Sequence, residues 1–150
     1  MRRKQEDEMA VKQISVYLEN KQGTISDITG LLADHNIDLR SLCIADTKDF
    51  GILRIIADDM TRAAEIIKEA GHTFNVREVV CFTVPDEAGG LAKVLRILDE
   101  GCVNIEYMYA VIANKADSAH IIARVDDNER TEAILAENGI EVISENGDLN

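Results

Sequence analysis

Two short segments of this 150-residue chain carry the residue types best suited to holding a small anion. Glu19-Asn20-Lys21-Gln22-Gly23-Thr24-Ile25 follows one strand-like run, and Pro85-Asp86-Glu87-Ala88-Gly89-Gly90-Leu91 follows another. Each puts glycine where a strand would give way to a helix. A missing Cβ lets the backbone approach a ligand there, and the first helical N–H groups point outward without intrahelical acceptors. A carboxylate suits such a turn. The plainer account is a tight turn that binds nothing. It would win for a lone glycine, but recurrence of the pattern brings the two accounts level.

The other chemically capable residues lead elsewhere. Asp58-Asp59 and Asp126-Asp127 have the makings of acid–base pairs or metal ligands, yet both precede a predicted helix, where capping and the helix dipole account for them. His35, His72 and His120 share no motif with a nucleophile or carboxylate, so no catalytic constellation is indicated. Cys43, Cys81 and Cys102 are odd in number and widely spaced. That spacing points to buried free thiols rather than a disulfide framework or a zinc site. No cofactor is implied.

The elements that must position the glycine turns are themselves duplicated. From position 23 to position 89 the offset is 66, and Asp38-Leu39 returns as Asn104-Ile105 at the same offset. Asp58-Asp59 returns at 126–127 and Glu69-Ala70-Gly71 at 137–139, now at an offset of 68. The two extra residues are expected in a hairpin near Asn114 to Ser118, where insertion costs least.

Each half reads as βαββαβ. In the first, Ile14, Val16 and Leu18 alternate with polar neighbours, and Ile25, Ile28, Leu31 and Leu32 follow helical spacing with Asn36 as a left-handed stop. Ile37 to Ala45 and Phe50 to Ala57 read as strands joined by a turn at Asp46-Thr47-Lys48-Asp49. Ala63, Ala64, Ile66 and Ile67 form a second helical stripe ended by Gly71, and His72 to Val76 closes the unit. The second half repeats the order over Val79 to Val84, Leu91 to Glu100, Val103 to Ala113, Ala119 to Val125, Glu129 to Asn138 and Ile140 to Ser144. Right-handed crossovers make each half an α+β, ferredoxin-like unit: an antiparallel sheet with both helices on one face. The expected division is a disordered leader over 1–9, with Met1 and Met9 as alternative starts, then domains at 10–77 and 78–146.

Composition narrows the function classes. A net charge of −12 opposes a nucleic-acid or anionic-membrane partner. The chain has 46% hydrophobic residues and a single proline, as folded proteins do. No apolar stretch reaches the length that spans a bilayer, and the N-terminus lacks a signal-like core, so a cytoplasmic location is expected. An RNA-binding version of the fold would carry aromatics on strand three, where Phe50-Gly51-Ile52-Leu53-Arg54-Ile55 stands. A metal-carrier version would want a cysteine pair in the first loop, and neither loop has one.

The loop-and-strand pattern resembles the ACT domain, a small-molecule-sensing module of amino-acid enzymes, in two tandem copies over residues 11 to 144. Asn20-Lys21-Gln22-Gly23-Thr24-Ile25 with Asn36-Ile37-Asp38-Leu39, and Asp86-Glu87-Ala88-Gly89-Gly90-Leu91 with Val103-Asn104-Ile105, carry the likeness. It implies a non-catalytic regulatory protein, a homodimer, and a free amino acid held where two domains pair side by side. By position the ligand set would be Asn20, Gly23, Thr24, Ile25 and Asp38, with Asp86, Gly89, Gly90, Leu91 and Asn104. Backbone amides would take the α-carboxylate, and Asp38, Asp86, Asn20 or Asn104 would accept from the α-ammonium. An amino-acid-metabolism enzyme or regulator would read the occupancy. Two departures stand out: Gln22 and Ala88 replace the proline the family often has before the loop glycine, and the two copies exchange Asn20 and Asp38 for Asp86 and Asn104. Tyr107, Met108 and Tyr109 are candidates for a side-chain pocket or for ordinary sheet packing. The alternative function is a structural dimerisation module with no ligand.

Overall fold

A computed structural model describes residues 10–19, 21–46, 50–111, 116–146 and 149. The expected leader at 1–9, Asn20, the turn at 47–49 and, of the expected insertion, Asn114 and Lys115 lie outside them. The chain divides into two compact units, Lys12–Arg77 and Glu78–Asn150, with Val11 grouped with the latter.

In the first unit, β1 (Val11–Glu19), α1 (Thr24–Asp34), β2 (Leu39–Asp46), β3 (Phe50–Ala57), α2 (Met60–Glu69) and the start of β4 (Thr73–Pro85) follow in order. The strands lie in the order β2-β3-β1-β4, with β1 and β2 antiparallel to β3. Ile14, Val16 and Leu18 of β1 and Leu53, Ile55 and Ala57 of β3 share one face, because successive strand side chains alternate. They pack with Ile28 and Leu32 of α1 and Ala63, Ile66 and Ile67 of α2. Both helices therefore cover the same face.

The second unit repeats this with the rest of β4, α3 (Gly90–Glu100), β5 (Ile105–Val111), β6 (Ser118–Val125), α4 (Asn128–Glu137) and β7 (Val142–Ile143). Its order is β5-β6-β4-β7. Val80, Phe82, Val84, Ile121, Ala123 and Val125 meet Val94, Leu98 and Leu135 in a core that is aliphatic apart from Phe82. The α+β, ferredoxin-like reading of both halves holds. The sheet faces turned away from the helices are also largely removed from water: Gln13, Ser15, Ser41 and Ile56 in one unit, Cys81, His120 and Ile122 in the other.

The four helices among the described residues end alike. Asn36, Gly71, Cys102 and Gly139 take positive φ, and the following amide reaches back five residues, as from Ile37 to Leu32 and from Val103 to Leu98, each 3.0 Å. This left-handed exit satisfies otherwise orphaned carbonyls. It also holds Ile37 and Val103 out of the sheet, so β2 starts at Leu39 and β5 at Ile105 rather than at the expected 37 and 103. A second correction concerns β4, which runs unbroken where separate strands at 72–76 and 79–84 are expected. Nothing in Asn75-Val76-Arg77-Glu78 interrupts an extended backbone. The last strand is shorter than 140–144 and pairs only at Val142 and Ile143.

The edge strands β2 and β5 each carry a bulge. Arg40 is an extra residue between the pairs Leu39–Ala57 and Ser41–Ile56, and Glu106 is one between Ile105–Val125 and Tyr107–Arg124.

Candidate functional site

In both units the glycine turn has the same backbone. Gly23 has φ +91° and Gly89 φ +84°, left-handed values that glycine adopts without strain. The amide of Lys21 donates to the Glu19 carbonyl and that of Glu87 to the Pro85 carbonyl, each at 2.9 Å. The first intrahelical bonds run from Asp27 to Gly23 and from Lys93 to Gly89. Beside Gly23 and Gly89 the space is open, with no heavy atom within 4 Å of where a Cβ would stand.

No described side chain caps either of these helices. Their N-termini therefore keep outward-facing amides at the positive end of the helix dipole. The second helix of each unit differs. The Asp59 carboxylate accepts from the Arg62 amide and Asp127 from the Arg130 amide, both at 3.1 Å, which is the capping expected of the acidic pairs. The first aspartate of each pair has a role the sequence does not announce. Asp58 accepts from the Asp38 amide at 3.1 Å and Asp126 from the Asn104 amide at 3.2 Å, fixing the start of strand two.

That arrangement separates the expected ligand residues within a unit. Gly23, Thr24 and Ile25 open an 11-residue helix, about 16 Å long, and Asp38 stands beyond its far end. Asp86, Gly89, Gly90 and Leu91 are likewise at the opposite end of α3 from Asn104. Asp38 also meets Arg40 at 3.2 Å. Asn20 falls outside the described residues. Thr24 Oγ1 donates to the Lys21 carbonyl at 3.0 Å, Ile25 is exposed, and Leu91 packs partly against the core. The Asp86 amide donates to the Asp117 carbonyl at 3.0 Å. A Cβ on Gly90 would overlap the Pro85 carbonyl oxygen, so its absence lets helix and strand end meet.

Each turn forms one wall of a cleft. In the first unit Tyr17, Leu18, Glu19, Lys21 and Thr24 face Gly71, His72 and Thr73 around about 330 Å³. In the second, Thr83, Val84, Pro85, Gly90, Lys93, Val94 and Ile97 face Asp117, Ser118 and residues Asn138 to Glu141 around about 430 Å³. The contribution of the turn before the last strand is not evident from either glycine motif. Tyr107, Met108 and Tyr109 line neither cleft; the two tyrosine rings stack with centroids 6.5 Å apart, and Met108 pairs with Ala123 on the helix side.

The remaining reactive groups are dispersed. His35 Nδ1 lies 2.8 Å from the Leu31 carbonyl, and buried His120 is 3.0 Å from Thr83 Oγ1. Burial, reinforced by the Glu141 carboxylate, pushes the Cys81 thiol up to about 12. Cys43 is half-buried and Cys102 exposed, which corrects the expectation of three buried thiols: the left-handed exit at Cys102 turns it outward. Among the described residues no group of three or more His, Cys, Asp or Glu side chains is placed to hold a metal. No helix among them is long and apolar enough to cross a membrane.

A family model described as an ACT domain pair matches residues 9–150. The structure of protein BT0572 from Bacteroides thetaiotaomicron is 38% identical and superposes with a TM-score of 0.86, covering 94% of this chain and 96% of that one. The ligand-free regulatory subunit of aspartate kinase from Thermus thermophilus is 15% identical with a TM-score of 0.64, covering 85% and 89%. A structure of aspartokinase alpha and beta subunits gives 22% identity and a TM-score of 0.57, covering 84% and 90%. No curated protein sequence matches the chain.

Proposed function

Since the chain belongs to the family of ACT domain pairs, we propose that it is a non-catalytic regulatory protein that binds a small free amino acid and passes its occupancy to a partner. The observation that carries this reading is the pair of uncapped helix N-termini behind left-handed glycines, each open to solvent. Outward amides at the positive end of a dipole favour a carboxylate. The strand-two residues Asp38 and Asn104, at the other end of each first helix, complete the ligand set only where two units pair. A homodimer supplies such pairing, and an enzyme or regulator of amino-acid metabolism in the cytoplasm would read it through the difference in affinity between bound and free forms.

Calorimetric titration and thermal shift against the twenty amino acids test this. At millimolar concentration one or a few raise the melting temperature and give a saturable heat; silence from all twenty overturns the reading. The second reading, a dimerisation module without ligand, draws on the exposed Leu42 and Ile44 of edge strand β2. A Gly23→Val variant separates the two. Loss of ligand response with assembly retained supports the sensor, and loss of assembly alone supports the module.

A further inference from the structure

We propose that the cleft of the second unit is itself a ligand site for a branched aliphatic amino acid, taken up within that unit and without the strand-two residue Asn104. The proposal rests on the amino-acid reading above and locates a ligand that reading leaves to paired units.

Its cavity of about 430 Å³ falls in the range of about 300–1,000 Å³ usual for small-molecule pockets. Val84, Val94, Ile97 and Ile140 supply apolar walls, and no aromatic side chain lines it. Lys93 stands on the first turn of α3, where a cation opposes the helix dipole and would be avoided on stability grounds alone. No acidic residue shares that turn, and Lys93 forms no ion pair with a described residue. Its charge therefore adds to that of the uncapped amides, so an anionic group at the cleft mouth meets both. Ser118, on the opposite wall, has a buried Oγ without a hydrogen-bond partner, a cost that a polar ligand atom would remove once the side chain rotates toward the cleft. Asp117 and Glu141 also line the cleft and offer acceptors for an ammonium. Carboxylate, ammonium and a branched hydrocarbon side chain are the three groups these walls call for.

The first unit lacks the arrangement. Asp27 occupies the position of Lys93, and Lys21 is engaged by Glu19 at 3.3 Å.

Calorimetric titration of the full chain with L-leucine tests the assignment. Lys93→Asp should weaken binding by about tenfold or more, as loss of a charge-assisted contact does. Lys93→Arg should retain it, and Arg96→Asp, the same charge change on the same helix outside the cleft, should leave it intact. Ser118→Ala should also weaken it; 4-methylpentanoate should compete with leucine, and 3-methylbutylamine should not. Binding of leucine that survives Lys93→Asp and is lost in Asn104→Ala overturns the cleft assignment and leaves the sensor reading standing. Binding of polar amino acids in place of leucine does the same. If no amino acid binds, both fall.

Discussion

Around the mouth of its first helix the first unit sets Glu19, Lys21, Thr24 and His72, and the second sets Pro85, Glu87, Gly90 and Ile140 on the same backbone. The left-handed glycine, the positive-φ helix exits, the aspartate that ties down strand two and the aspartate that caps helix two all recur. What changed is the lining. Backbone devices answer to the fold and are held by hydrogen bonds that any copy must satisfy, whereas side chains at a cleft mouth answer to what enters it. The contrast marks the turns as shared architecture and the cleft walls as the place where the two units differ in chemistry.

The widest divergence should appear in thiol chemistry. Cys81 occupies the place held in the first unit by Ser15, and its thiol is pushed from 9.0 to about 12 by burial and the Glu141 charge. Native-state labelling with a disulfide reagent near pH 8 should modify exposed Cys102 at once and buried Cys81 by orders of magnitude more slowly, because little of the Cys81 thiol is ionised there. A raised folded pKa means that its contribution to stability is whole below pH 9 and drains away as pH climbs toward 12. Rapid labelling of Cys81 in the folded chain would break the contrast.

Next comes the exchange of Thr24 and Gly90. Gly90→Ala drives a Cβ into the Pro85 carbonyl and should cost about 1–3 kcal/mol in denaturant unfolding, while Thr24→Gly should cost under about 1 kcal/mol. Equal costs would show that the two turns are more alike than they look. Removing the helix-two caps sharpens the comparison from the other side: Asp59→Ala and Asp127→Ala should each cost about 1 kcal/mol, because here the units are the same.

The smallest effect is expected at Glu132, whose counterpart is Ala64. Burial first, then the charges of Glu78 and Glu129, hold its carboxyl above the usual range. The folded state therefore favours the protonated form, and ionisation costs stability as pH rises through that raised value. Glu132→Gln should stabilise the chain at pH 7 by a few tenths of a kcal/mol, with the gain fading in acid. Melting curves at pH 7 and pH 4 check the sign.

Much of this was legible in the residues. The period-2 run Ile14, Val16, Leu18 and the helical stripe ending at Asn36 fixed β1 and α1, since one buried face demands that spacing. Asn36 takes φ +57°, as asparagine readily does, and so does Cys102, a residue whose type gives no hint of it. The caps Asp59 and Asp127 were readable because capping is local. The clefts were not: each needs the end of one strand, the first turn of a helix and the turn before the last strand, segments about 50 residues apart that only the fold brings together. The break expected in β4 came from the logic of repeats rather than from any residue at 75–78 that would stop an extended chain. Of the ligand residues, Gly23 and Gly89 show the conformation their type invites, whereas the distance from them to Asp38 and Asn104 follows from helix length and could have been counted.

The bulges at Arg40 and Glu106 have a consequence for the pleat. Each lets two residues of its strand oppose one of the neighbour, so Leu39 and Ser41 face opposite sides of the sheet although two positions apart, as Ile105 and Tyr107 do. A simple every-other-residue count through either strand would therefore put its far half on the wrong side. The irregularity stands at one register in both halves, on side chains of opposite charge.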